Sequence, residues 1–276
     1  MVAAAAAGGL DPMDARRIAE EAGGDLDDQV TDLGRSRFDA MVERRRAGEP
    51  LQYVLGSWGF RSLDLLVDRR VLIPRPETEW VVEVALGLLP DDGEVVVLDL
   101  GTGSGAIGLS IAAERWPRAR VVLTDTSPDA VAVARANLAG IGRAGTTVEI
   151  HEGSWWDAVP ASHRGSLDLV VSNPPYVAPS DPLPPEVADW EPGAALIPGP
   201  TGLEAFVEIL GAAADWLRPG GWIVCEIGET QGADVVALAI AGGLVDVEVR
   251  PDLTGRDRMV VARRADQPDG AHAVRA

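Results

Sequence analysis

The chain has 276 residues, 46% of them hydrophobic, and a formal charge of −19 from 24 basic and 43 acidic side chains. That length exceeds the usual single domain and can bury a substantial core, so one large α/β domain with a small appendage is expected. The charge repels phosphate backbones and disfavours nucleic acid as the main partner; no apolar run is long enough to span a bilayer, and a single cysteine, Cys225, excludes an internal disulfide or a cysteine metal cluster.

The opening MVAAAAAGGL lacks the basic start and strongly apolar centre of a secretion signal, so the cytoplasm is the expected compartment. Residues 14 to 47 favour helix with no β pattern, which predicts a small helical domain over 1–50 made of two or three short helices. The basic run Arg44 to Arg46 falls at the end of one of these, before the break at Gly48 and Pro50. Cations there complement the helix dipole, so the run reads either as a solvated helix end or as a docking patch. SWGFRSLDLLVD alternates apolar and polar residues like a short hairpin, giving a linker over 51–76, with Phe60 assigned to the hinge core. Pro74 and Pro76 then force an extended entry into an amphipathic helix opened by Glu77 or Thr78.

From residue 95 the pattern is regular. The apolar runs VVVLDL, ARVVLTD, TVEIHEG, LDLVVSN and WIVCEIG alternate with helical stretches at 105–116, 128–139, 202–217 and 230–242. Continuous apolar strands separated by helices indicate a parallel sheet covered on both faces, filling a domain over 77–264. Leu203, Phe206, Val207, Leu210, Ala214 and Leu217 recur at helical spacing and are assigned to core packing. VDVEVRPD and RMVVARR, joined by a short connection, read as an antiparallel pair, and 265–276 reads as a disordered tail.

Two motifs carry chemistry. In LDLGTGSGAIGLSIA a strand runs into Gly101, Gly103 and Gly105 and then a helix start, which lets a ligand lie on bare backbone amides at the positive end of a helix. Asp125, at the end of the following strand, is placed to take ribose hydroxyls. Gly101, Gly103 and Ala106 also satisfy a dinucleotide fingerprint, so the loop alone does not say which nucleoside. The second motif is Asn173-Pro174-Pro175-Tyr176, directly after a buried strand and at the sheet edge where open α/β folds place ligands. The prolines end the strand there and stiffen the turn beyond it.

With Asp99 two residues before the first glycine, D-L-G-T-G-S-G resembles the first motif of class I S-adenosylmethionine-dependent methyltransferases, in which that acid contacts the amino-acid part of the cofactor. RRRAGEPLQYVLG, VLIPRPETE, SNPPY and DLTGRDRMVVARR, in that order over about residues 14–264, resemble the protein-(glutamine-N5) methyltransferases of peptide chain release factors, the HemK/PrmC family. The resemblance implies a mostly parallel seven-stranded sheet with an antiparallel last strand, and S-adenosylmethionine as cofactor. It implies a release factor as partner, with its Gly-Gly-Gln glutamine as target, and a monomer that contacts neither membrane nor nucleic acid directly.

The same resemblance implies site roles. Gly101, Thr102, Gly103, Ser104 and Gly105 would line the cofactor with Asp125, Asn173 and Trp155, the last beside the adenine. Gly153 and Ser154 stand where many relatives carry a serine-aspartate pair. Trp156 is assigned to packing beneath the loop. Asn173 Oδ1 and the Pro174 carbonyl would accept the two N–H bonds of the target amide, with Tyr176 against its plane and Pro175 completing the turn. Arg75 and Glu77 would border the substrate or form an ion pair at the hinge. The alanine-rich leader stands in place of a first helix. The remaining readings are an adenine-N6 methyltransferase acting on DNA or RNA, which shares the Asn-Pro-Pro-Tyr motif, and a non-enzymatic nucleotide-binding module.

Overall fold

The computed structural model describes residues 2–23 and 31–266. Among the described residues four helices come first: α1 (Val2–Ala7), α2 (Pro12–Glu21), α3 (Asp32–Arg46) and α4 (Leu51–Leu55). Their starts follow from the sequence. Asp11 accepts from the backbone N–H of Met13 at 2.8 Å ahead of Pro12, and Thr31 Oγ1 accepts from Gly34 N at 3.0 Å, so each side chain satisfies a helix N–H that has no partner within the helix. The alanine-rich leader is itself helical, as the strong helix propensity of alanine favours, and Ala5 and Leu10 close onto Ile18 and Phe38. Leu51 and Val54 join the same cluster, so the helical unit runs to Leu55, past the expected boundary at residue 50. Residues 24–30 of the expected helical stretch lie outside the described residues.

The Arg44 to Arg46 run is engaged within the chain. Arg44 meets the buried Glu49 at 2.6 Å and the Tyr53 carbonyl at 2.8 Å, Arg45 meets Asp14 at 2.7 Å and Glu186 at 2.6 Å, and Arg46 meets Glu43 at 2.9 Å. These side chains tie the helices together, and Arg45 also anchors a short, distant helix at Glu186.

Strands β1 (Ser57–Phe60) and β2 (Leu63–Leu66) form the antiparallel hairpin. Phe60 is buried with Val81 and Val82 in the core of the large domain. Arg61, at the hairpin tip, donates to Glu83 at 2.9 Å and to both oxygens of Glu114 at 2.5 and 2.8 Å, fastening the hairpin to the helices beneath.

The large domain runs α5 (Pro76–Leu88), β3 (Val95–Leu100), α6 (Ala106–Glu114), β4 (Ala119–Asp125), α7 (Pro128–Gly140), β5 (Val148–Glu152), β6 (Leu167–Ser172), α8 (Pro185–Ala188), α9 (Glu204–Trp216), β7 (Leu217–Glu226), α10 (Gly232–Ala241), β8 (Leu244–Pro251) and β9 (Asp257–Arg264). The seven strands take the order β5-β4-β3-β6-β7-β9-β8, parallel except that β9 runs antiparallel to both neighbours. Two apolar layers cover the sheet, one with α5 and α6 and one with α9 and α10.

In α9 the buried stripe is Phe206, Ile209, Leu210, Ala213 and Trp216, while Val207, expected in the core, is 53% exposed. Helical spacing admits either of two adjacent stripes, and the sheet selects the one that faces it. Of the tail expected to be disordered, residues 267–276 lie outside the described residues.

Candidate active site

Because β3, β4, β6 and β7 are parallel, their carboxyl ends meet at one sheet edge, bringing the loop after Leu100, Asp125, Asn173 and Glu226 together. A cleft opens there with about 1100 Å³ of empty space, its mouth included. Gly101, Thr102, Gly103 and Ser104 line one wall, with Asp125 and Trp155 beside them. Asn173 and Pro175 line the far end, and Pro192, Ala194 and Ala195 close it from the loop that precedes α9.

The glycine loop is held from behind. Gly101 N and Thr102 N both donate to the Thr124 carbonyl at 2.9 Å. Gly101 and Gly103 have φ of 72° and 56°, a left-handed backbone that glycine adopts without steric cost. The Trp155 ring lies against Gly101, where an added Cβ would stand 3.4 Å from the indole.

Asp125 accepts from Gly103 N and Ser127 N, each at 2.9 Å, one bond to each carboxylate oxygen. The carboxylate keeps acceptor capacity for a ligand hydroxyl. Burial raises the acid above its ordinary value, against the opposing pull of the Ser127, Gly103 and Thr126 N–H groups.

Asp99 does not line the cleft. It lies buried beneath the loop, where Oδ2 accepts from Thr102 Oγ1 at 2.6 Å and from Gly108 N at 2.9 Å, while Oδ1 is buried with no partner among the described residues. Burial lifts its carboxyl to about 6. This acid therefore braces the loop from below. Gly105 is also turned away: its added Cβ would meet Leu109 at 2.6 Å, so it serves the packing of α6.

Beyond Ser172 the two prolines differ. Pro174 is buried and absent from the cleft wall, whereas Pro175 lines it. Tyr176 is partly buried, and its hydroxyl donates to Glu226 Oε1 at 3.2 Å. Its carbonyl accepts from Gln231 Nε2 at 2.9 Å, which holds the turn against the loop at Gly202. Asn173 Nδ2 donates to Thr78 Oγ1 at 3.3 Å, and Thr78 Oγ1 donates to Glu226 Oε2 at 2.7 Å. Glu226 is 1% exposed, and burial, opposed by Thr78, Arg258 and Tyr176, lifts its carboxyl to about 7.

Arg75 and Glu77 flank this network without lining the cleft. Arg75 pairs with the buried Glu191, whose second oxygen accepts from Ile73 N at 3.1 Å. Trp156 stacks on Trp216 with centroids 5.6 Å apart and donates to the Glu208 carbonyl at 3.1 Å, a packing role.

Sequence reasoning missed Thr78 and Glu226. Glu226 carried a signal all the same: it is an acid at the carboxyl end of an apolar strand, the same pattern that singled out Asp125. Thr78 carried none beyond its place in the first turn of α5.

Comparison with known proteins agrees with this architecture. Residues 82–183 match the family model "Methyltransferase small domain", and residues 24–56 match "PrmC N-terminal domain". A release factor glutamine methyltransferase of Xylella fastidiosa is 46% identical over 227 residues, 82% of this chain and 80% of that protein. A protein of the same name from Moorella thermoacetica is 44% identical over 246 residues, 88% of this chain and 84% of that protein. Among solved structures, a methyltransferase from Pyrococcus furiosus superposes with a TM-score of 0.55 at 20% identity, covering 83% of this chain and 99% of that one. The hMettl16 catalytic domain in complex with an RNA hairpin superposes with a TM-score of 0.56 at 16% identity, covering 87% and 84%. At those identities the likeness is one of fold.

Proposed function

The chain belongs to the release factor glutamine methyltransferase family, and from that premise we propose that it methylates the side-chain amide nitrogen, N5, of the Gly-Gly-Gln glutamine in a peptide chain release factor. It is an enzyme, a methyltransferase that uses S-adenosylmethionine. The observation that carries the reading is the position of the Asn173 side-chain amide in the cleft wall, across from a glycine loop and an acid suited to a nucleoside.

The cleft fits the cofactor on its own terms. Gly103 offers backbone with nothing within 4 Å of where a side chain would start, and Asp125 has acceptor capacity left for a ribose diol. Gly101 to Ser104 would hold the amino-acid and ribose portions, with Trp155 beside the base. Ser154, also in the wall, replaces the acid of many relatives, and its hydroxyl can still accept from an exocyclic amine. When bound, S-adenosylmethionine supplies an electrophilic sulfonium methyl and departs as a neutral thioether that retains the electron pair of the broken carbon–sulfur bond.

The chain must make a poor nucleophile react. An amide nitrogen shares its lone pair with its carbonyl, so both N–H groups need acceptors that hold the nitrogen while it pyramidalises. Asn173 Oδ1 would supply one from the cleft wall, and the Pro174 carbonyl the other from a residue that lies buried behind that wall. Tyr176 packs against the core and does not line the cleft, so its ring would have to turn toward the substrate for its π face to favour positive charge on nitrogen. No strong base is needed before transfer, because an alkylated amide nitrogen is acidic and gives its proton to water. Arg75 and Glu77 support the substrate end from outside the cleft, Arg75 through Glu191. The helical unit up to Leu55 is the docking surface for the folded partner.

We place the activity in the cytoplasm and treat the working unit as a monomer. Among the described residues no helix is long and apolar enough to cross a membrane. Adenine in DNA or RNA is disfavoured as substrate by the charge of −19, and the likeness to an RNA-bound methyltransferase is of fold alone. The decisive assay offers tritiated cofactor with purified release factor or with total RNA. Label on the release factor, mapped to the Gly-Gly-Gln glutamine by mass spectrometry, is the expected result; label on RNA alone would overturn the reading.

A further inference from the structure

We propose that Glu226 is a positioning residue: through Thr78 it sets the direction of the hydrogen-bond chain ending at Asn173, and so decides which end of the Asn173 amide faces the substrate. The proposal rests on the glutamine-methylation reading for the identity of the substrate; its geometry stands apart from that reading.

The sheet brings the three residues together. In the parallel β6/β7 pair Ser172 is in register with Cys225, so the next residues, Asn173 and Glu226, leave the two strands side by side. Thr78, in the first turn of α5, lies between them. Glu226 Oε2 is 2.7 Å from Thr78 Oγ1, and Thr78 Oγ1 is 3.3 Å from Asn173 Nδ2.

A threonine hydroxyl has one proton to give. An ionised carboxylate only accepts, so that proton goes to Glu226 and only lone pairs are left toward Asn173. The asparagine must then turn its NH2 to Thr78 and its carbonyl oxygen to the cleft. An amide substrate needs an acceptor there, and this is the end it meets.

Reversal is equally specific. A protonated Glu226 can donate to Thr78, which frees the threonine proton for Asn173 Oδ1. The Asn173 amide then turns over and presents N–H groups to a substrate that also presents N–H groups. Like meets like, and the site loses one of its two acceptors.

The groups facing Glu226 bear on this choice. Tyr176 donates to Oε1 at 3.2 Å and Arg258 of β9 favours the carboxylate, while Glu77 of α5 opposes it. Arg258 is itself held by Asp252 at 3.3 Å.

Two readouts test the proposal. In the free enzyme, the side-chain NH2 resonances of Asn173, assigned by their loss in Asn173→Asp, should shift through a single titration near pH 7 in wild type and in Thr78→Ser. They should not shift in Glu226→Gln.

In steady-state kinetics on a Gly-Gly-Gln peptide, Glu226→Gln and Thr78→Val should each lower kcat by about 10- to 100-fold. KM and cofactor affinity should stay within about threefold, and Thr78→Ser should restore most of kcat. Should Glu226→Gln fold poorly, Thr78→Val against Thr78→Ser carries the same comparison. Asn173 resonances indifferent to the titration, or wild-type kcat in Thr78→Val, would overturn the proposal. A wild-type enzyme inactive on release factor defeats the substrate reading instead, and the resonance experiment still decides the direction of the chain.

Discussion

Arg75 and Glu191 join the segment entering α5 to the loop that closes the cleft, with the Glu191 side chain 1% exposed and the Arg75 side chain 29% exposed. The acid also takes the Ile73 N–H at 3.1 Å, so one buried carboxylate holds both strands of chain at the rim. Arg75→Ala leaves that charge buried with a single neutral partner. It should destabilise the protein by about 3 kcal/mol or more, read from denaturant unfolding. Glu191→Gln, which buries no charge, should cost less.

Asn173→Ala should lower methyl transfer to release factor by about two to three orders of magnitude while leaving cofactor affinity nearly unchanged. Single-turnover kinetics with calorimetry separates the two effects. Asn173→Asp keeps an oxygen acceptor and should retain more activity than alanine.

Asp125→Ala should weaken S-adenosylmethionine binding by about 1.5 to 3 kcal/mol, the scale of hydrogen bonds to a charged acceptor. The mutation also releases Gly103 N, so loss of cofactor affinity in a folded protein is the diagnostic result. Unchanged affinity by calorimetry would remove Asp125 from the ribose subsite.

Gly108→Ala should destabilise by about 1 to 3 kcal/mol, as overpacking does. Its new Cβ would lie 2.9 Å from Asp99 Oδ2 and 3.0 Å from Leu123 Cδ1, both buried side-chain ends, the first of them pinned by its bonds to Thr102 Oγ1 and Gly108 N. Thermal unfolding measures this, and a neutral result would mean that the loop above Asp99 yields freely.

Stability should depend on pH through Glu226. The fold raises its carboxyl from 4.5 to about 7, so it favours the protonated form. The contribution is complete below about pH 4.5, is lost as pH rises through about 7, and levels off above; such a shift corresponds to about 3 kcal/mol. Asp99, lifted to about 6, adds a loss in the same direction. The stability of wild type relative to Glu226→Gln should therefore fall over that window, and a difference independent of pH would show that Glu226 titrates normally.

The glycine loop, Asp125 and the Asn-Pro-Pro-Tyr turn at the sheet edge were legible because each is a local pattern: a strand followed at once by glycine, acid or proline. The sheet was legible for the same reason, since unbroken apolar runs between helices admit few arrangements. Contacts between distant positions were not legible. Thr78 and Glu226 are 148 residues apart, and no periodicity says that α5 brings one onto the end of β7. The Arg44 to Arg46 run reads from sequence as a solvated helix end or a docking patch because its partners, Asp14, Glu49 and Glu186, are scattered along the chain. Asp99 is a mixed case: its place before the first glycine is a local signal, but depth below the loop is not written in spacing.

Asn137, in α7, donates to the Ser104 carbonyl at 2.8 Å and the Leu66 carbonyl at 3.1 Å, and accepts from Leu66 N at 2.7 Å. One amide therefore couples the hairpin behind the helical unit to the glycine loop proposed to take the cofactor. Any tilt of the hairpin would break those bonds or carry the loop with it, as one gear turns another. Thermodynamic reciprocity then applies: whatever factor a docked release factor imposes on cofactor affinity, the cofactor returns to the release factor. Cutting the tooth, with Asn137→Ala, should let each ligand bind in ignorance of the other.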